Sequence, residues 1–105
     1  MLAGLYPSLI PPTNPDLVDL TGLRSGDAAA LRRVMDRWAA RLHAFAWRYL
    51  QHTTDAHEVA METFVRLHRA GPKLRPDTRL SSWLFTTAAT ASAGAAATPA
   101  RAGKR

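Results

Sequence analysis

Apolar residues through the middle of the chain recur at steps of three and four, the period of one helix face. Leu31, Val34, Met35, Trp38, Leu42, Phe45, Ala46 and Tyr49 keep this spacing, which predicts a long helix ending near Leu50. Arg32, Arg33, Arg37, Arg41 and Arg48 fall mostly off the stripe. Asp27, or Ser25 just before it, is placed to cap the helix. After a polar break at residues 51–54, Thr54 or Asp55 can cap another helix running to about Ala70. Its apolar face would hold Ala56, Val59, Ala60, Phe64 and Leu67, and its other face Glu58, Met61, Glu62, Val65, Arg66 and Arg69. Acids early and bases late suit the helix dipole, and Gly71-Pro72 stops the helix.

Shorter signals flank this pair. Asn14 as cap, Pro15 at the first helical position and Asp16 beside the positive end predict a short leading helix. Leu17, Leu20 and Leu23 would form its stripe, and Gly22 with Ser25-Gly26 limits it to about two turns. Downstream, Ser81 or Ser82 can cap a fourth helix that begins Trp83-Leu84-Phe85. Past Ala88 the chain turns to Ala, Thr, Ser and Gly, and nine of its 20 alanines lie in the last 18 positions. Alanine favours helix intrinsically, so a turn or two beyond Thr90 is allowed, but no large side chain is there to anchor it. No strand-period stretch and no repeat appears. The expected fold is all-α, a small helical bundle of three main helices plus a short leading one, over residues 15–90. Residues 1–14, with Pro7, Pro11 and Pro12, and the basic low-complexity residues 91–105 are expected to be disordered tails.

Length and charge narrow the function. A chain of 105 residues is one small domain. Its formal charge of +6 favours phosphate or an acidic protein surface as partner. The lack of cysteine excludes disulfides, thiolate metal sites and cysteine nucleophiles, and fits a reducing cytoplasm. No apolar run is long enough to span a membrane, and the N-terminus lacks the basic start of a secretion signal.

Candidate chemistry is sparse. His43, His52, His57 and His68 are scattered over three segments, and Met61 stands where a zinc-protease helix starting at His57-Glu58 would need its second histidine. Ser81 and Ser82 have no base-and-carboxylate partners in the pattern and read as capping residues. No metal, cofactor or enzymatic activity is expected. Two features point instead to binding. Glu58 and Glu62 share a helix face at i, i+4, either a solvated polar face or an acidic docking strip. Arg66, Arg69, Lys73, Arg75 and Arg79 stand against only Asp77, just before Trp83 and Phe85. Cations beside aromatics suit a single nucleic-acid strand, although Trp83 also opens an amphipathic helix and so suits a core position.

The run at residues 55–69, DAHEVAMETFVRLHR, resembles the second conserved stretch of extracytoplasmic-function sigma factors, a group within the sigma-70 family of bacterial RNA polymerase. Asp55, Ala56, Glu62, Thr63, Phe64, Arg66 and Leu67 coincide with that pattern. The stretch from Gly26 to Leu31, Arg41-Leu42, Phe45-Ala46, Pro76-Asp77 and the run from Ser82 to Phe85 resemble the flanking parts, in order and at matching spacing, over about residues 17–90. His57 departs from a usual acid, Met61 from a usual Gln and His68 from a common Trp.

The resemblance implies a region 2 domain, a helical bundle that binds core RNA polymerase at the β′ clamp helices and captures the non-template strand of the promoter −10 element during melting. Carried over, Asp55, Glu58, Met61, Glu62 and Val65 would face the polymerase. Arg69, Lys73, Arg75, Arg79, Ser81, Ser82 and Trp83 would line the DNA side, with the loop at residues 73–82 holding a flipped base. An anti-sigma factor is a further implied partner. The usual Arg-rich continuation of the fourth helix is replaced by Thr86-Thr87-Ala88-Ala89-Thr90, and the second, helix-turn-helix domain that reads the −35 element is absent from the 105 residues. Two alternatives therefore stand beside an initiation role: a polymerase-docking fragment without initiation activity, and a truncated or frameshifted sigma factor.

Overall fold

A computed structural model describes residues 15–96. They form four α-helices: α1 (Pro15–Arg24), α2 (Ala28–Leu50), α3 (Thr53–Ala70) and α4 (Leu80–Ala96), with a 3₁₀ turn (Gly71–Lys73) after α3. There is no strand among the described residues. The expected Asn14 cap and both expected tails, as far as residues 1–14 and 97–105 are concerned, lie outside them.

Helices α2, α3 and α4 pack on one another pairwise, and α1 lies against α2 and the 3₁₀ turn. The core draws Val34, Trp38, Leu42 and Leu50 from α2, Val59, Phe64 and Leu67 from α3, Leu80 and Leu84 from α4 and Leu23 from α1. Ala30, Ala46, Ala56, Ala60 and Ala88 are buried between them, and their small side chains let the helices approach closely. Phe85 links the layers, with its ring edge-on to Trp38 at 5.8 Å and to Phe45 at 5.2 Å, a favoured aromatic geometry.

The junctions are set by single residues. Asp27 caps α2, its carboxylate accepting from the Ala29 N–H at 2.9 Å. Gly22 allows α1 to cross the start of α2: a Cβ there would lie 2.5 Å from the Ala30 Cβ. Gly71 does the same at the end of α3, where a Cβ would stand 2.6 Å from the Leu23 carbonyl oxygen. Arg24 donates from Nε to the Leu74 carbonyl at 2.9 Å and ties α1 to the loop.

Several sequence expectations are corrected. Tyr49 is exposed, and Leu50, one turn beyond Ala46, takes the core position at the end of α2. Leu17 is exposed, while Asp19 is buried beside Leu20 and Leu23. Burial of Asp19 is possible because two arginines of α2 reach it: Arg33 Nε donates to Oδ1 at 2.8 Å and Arg37 Nη1 to Oδ2. Arg37 also pairs with Asp16. Burial opposes the Arg37 charge, but the hydrogen bonds and charges of Asp19 and Asp16 outweigh it and raise the Arg37 pKa above the ordinary arginine value. The cap of α3 is His52, whose Nδ1 accepts from the Asp55 N–H at 3.3 Å, rather than Thr54 or Asp55.

Helix α4 starts at Leu80 instead of Trp83, so Ser81 and Ser82 lie in its first turn and do not cap it. Leu80 is buried, and its docking in the core begins the helix one turn earlier. The far end lies within the turn or two allowed beyond Thr90, but it is held to the core, contrary to expectation. The helix runs to Ala96, Ser92 is fully buried, and Ala91 and Ala95 pack against the core. Small side chains suffice there because the helix surface itself comes close to α3.

Candidate polymerase- and DNA-binding surfaces

Helix α3 separates two surfaces because its 3.6-residue period buries one side completely. Val59, Ala60, Thr63, Phe64 and Leu67 face inward, and the Thr63 hydroxyl is satisfied by donating to the Val59 carbonyl at 2.9 Å. Opposite them, Glu58, Met61, Glu62, Val65 and Arg69 follow at i, i+3, i+4, i+7 and i+11 along one face. Met61 is 37% and Val65 40% exposed, large values for apolar side chains. Glu58 is exposed, and the half-exposed Glu62 accepts from Arg66 Nε at 3.0 Å. The result is a short apolar ridge flanked by carboxylates. Asp55, expected on this strip, is only 8% exposed. Its carboxylate lies 3.7 Å from His52 Nδ1, so it belongs to the start of the helix and not to the outward strip.

The second surface begins where α3 ends. Arg69, Lys73, Arg75 and Arg79 are all exposed. Arg75 is paired to Asp77, with Nε 3.2 Å from Oδ1; Arg69, Lys73 and Arg79 form no ion pair among the described residues. Arg79 stands between two shallow depressions. One, of about 360 Å³, is lined by Thr78, Arg79, Ser82, Trp83, Thr86 and Thr87. The other, of about 290 Å³, joins Arg79 and Ser81 to Asp16 and Leu17 of α1. Ser81 and Ser82 therefore face different depressions, and Trp83 is half-buried against the core with one side in the first. Arg69, Lys73 and Arg75 line neither; they extend the basic edge toward α3.

Sequence reasoning missed the Asp19–Arg33–Arg37–Asp16 cluster. A carboxylate between two apolar residues of a short helix was the available sign, but its arginines come from 14 and 18 positions away. It also passed over Trp47 and counted Tyr49 in the apolar stripe, whereas both are exposed on α2 on either side of Arg48. No group of three or more His, Asp or Glu side chains among the described residues is arranged to hold a metal ion. No helix among them is long and apolar enough to cross a membrane.

Comparison with known proteins bears on these surfaces. No curated protein and no solved structure matches the chain. The family model described as sigma-70 region 2 matches residues 34–93, a stretch that runs from the middle of α2 through α3 and the basic loop and almost to the end of α4. It covers more than half of the chain, and with the all-helical bundle that carries it, it shows that the chain belongs to the sigma-70 region 2 family.

Proposed function

We propose that this domain binds core bacterial RNA polymerase through the outward strip of α3 and takes part in recognising and opening the promoter −10 element through the basic edge before α4, as extracytoplasmic-function sigma factors do. The observation that carries the reading is the segregation of the two surfaces on one rigid bundle. Glu58, Met61, Glu62 and Val65 offer an apolar ridge with acidic flanks, suited to a basic helical partner. Carboxylates in such a contact steer encounter and fix register, while the apolar pair gives buried area. An anti-sigma factor would compete for the same ridge. Asp55 supports the strip from beneath, through the first turn of α3.

Arg69, Lys73 and Arg79, which form no ion pair among the described residues, offer cations to phosphates, and the depression beside Trp83 and Ser82 offers an aromatic surface and a hydroxyl to a base taken out of the stack. Flipping costs a few kcal/mol of stacking, so this second contact needs a strand already held at the polymerase. Action at the promoter would place the protein in the cytoplasm.

One observation favours the alternative of a docking module without initiation activity: from Thr86 to the end of α4 there is no charged side chain. The DNA side is thus confined to the loop and the first turn of the helix. Incubation of the full chain with core polymerase and a promoter template, scored for both association and transcripts, separates the readings. Association with promoter-dependent transcripts supports initiation. Association without transcripts supports the docking module. No association refutes both.

A further inference from the structure

The strip of α3 borders a groove of about 310 Å³ between α3 and the last two turns of α4. Glu58, Glu62 and Val59 form one wall, and Thr90, Ala91, Gly94 and Ala95 the other. Arg66 also lines the groove and is paired to Glu62; two carboxylates and one guanidinium give the lining a formal charge that is negative. Gly94 and Ala95 belong to the final turn of α4, so the chain leaves that helix at the mouth of the groove. The nine residues that follow Ala96 carry Arg101, Lys104 and Arg105 and no acid. These three cations equal half of the formal +6. Five residues of extended chain span at most about 17 Å and nine about 30 Å, so all three cations are within reach of Glu58 and Glu62.

We infer that the basic segment at residues 97–105 docks in this groove within the same molecule, with Arg101, Lys104 and Arg105 meeting the Glu58 and Glu62 side. A short tether gives an effective concentration on the order of millimolar, so a contact too weak to form between separate molecules is populated within one. The small side chains at positions 91, 94 and 95 admit a backbone where larger ones would fill the space. Because Glu58 and Glu62 also belong to the proposed polymerase strip, the docked segment competes with the polymerase; this consequence, unlike the docking itself, rests on the function proposed above.

The test exploits the absence of native cysteine. A nitroxide on Gly103→Cys in the full chain is expected to broaden the amide NMR signals of Glu58, Glu62 and Gly94 at low salt. The effect should be independent of protein concentration and lost on reversing Arg101, Lys104 and Arg105 to Glu. Broadening confined to another face, no broadening, or broadening that dilution removes (a second copy as occupant) overturns the inference. The same triple reversal, titrated against core polymerase without DNA, should tighten binding by at least about twofold if the groove is occupied half the time; unchanged affinity with the broadening intact overturns the competition. Failure of the unaltered and reversed chains alike to bind polymerase would count against the proposed function and leave the label result to decide the docking.

Discussion

Removal of Asp19 and removal of its two arginines should have unequal effects on stability, and the inequality follows from where each charge sits. The Asp19 side chain is 2% exposed, whereas those of Arg33 and Arg37 are 48% and 33% exposed. In Asp19→Ala the arginines can turn to water, and Arg37 keeps Asp16. The loss is then two charge-assisted hydrogen bonds partly replaced by solvent, about 2 kcal/mol in total. In the double variant Arg33→Ala/Arg37→Ala the carboxylate stays buried between α1 and α2 with its partners gone. Breaking a buried pair from that side costs about 3–5 kcal/mol, and the chain escapes part of it only by peeling α1 away. In a domain of this size 1 kcal/mol shifts Tm by about 4–8 °C. The double variant should therefore melt roughly 5–20 °C below Asp19→Ala. Thermal melts at neutral pH, read by tryptophan fluorescence from Trp38, Trp47 and Trp83, measure it. Equal losses, or a larger loss for Asp19→Ala, would refute the assignment of the burial penalty to Asp19.

Two further substitutions test the packing. Gly71→Ala should destabilise by about 1–3 kcal/mol, because its Cβ would press on the Leu23 backbone oxygen while the helical φ of −43° imposes no strain of its own; urea midpoints read this directly. Ser92→Ala should stabilise by about 1 kcal/mol, since the Ser92 hydroxyl is buried in α4 with no hydrogen-bond partner among the described residues and alanine is the better helix former. An unchanged or lowered Tm would show that the hydroxyl finds a partner in solution.

How far the chain could be read in advance depended on the range of each interaction. The α2 stripe at Val34, Trp38, Leu42 and Ala46 and the α3 stripe at Val59, Ala60, Phe64 and Leu67 are local periodicities, and both are buried. The Asp27 cap and the break at Gly71 are equally local signals, and the structure has both. The errors share a different cause. Asp19 is inside because of residues far along the chain, and no local rule places a carboxylate in a core. Ser92 is inside, with Ala91 and Ala95 partly buried beside it, because small side chains let α4 lie close to its neighbours, which a scale of side-chain hydrophobicity does not register. His52 caps α3 through a ring nitrogen, a role usually filled by Ser, Thr, Asp or Asn. At the candidate surfaces, periodicity grouped Glu58, Met61, Glu62 and Val65 on one helix face, as the structure has them, but it did not foresee that Asp55, seven positions before Glu62, turns to His52. It also left Ser81 and Ser82 as interchangeable caps, whereas the earlier start of α4 sends them to separate depressions.

The central claim is that the outward strip of α3 is the polymerase-docking face. The most direct measurement is the affinity of the full chain for core polymerase, with and without Glu62→Lys. Glu62 is half-exposed and its one ion pair among the described residues is with Arg66 on the same helix, so the reversal leaves the core intact, which an unchanged Tm to within about 2 °C would confirm. Loss of an interfacial charge contact costs about 2–5 kcal/mol, so binding should weaken by at least about 30-fold and effectively disappear. Unchanged affinity in a folded Glu62→Lys protein would show that the docking face lies elsewhere.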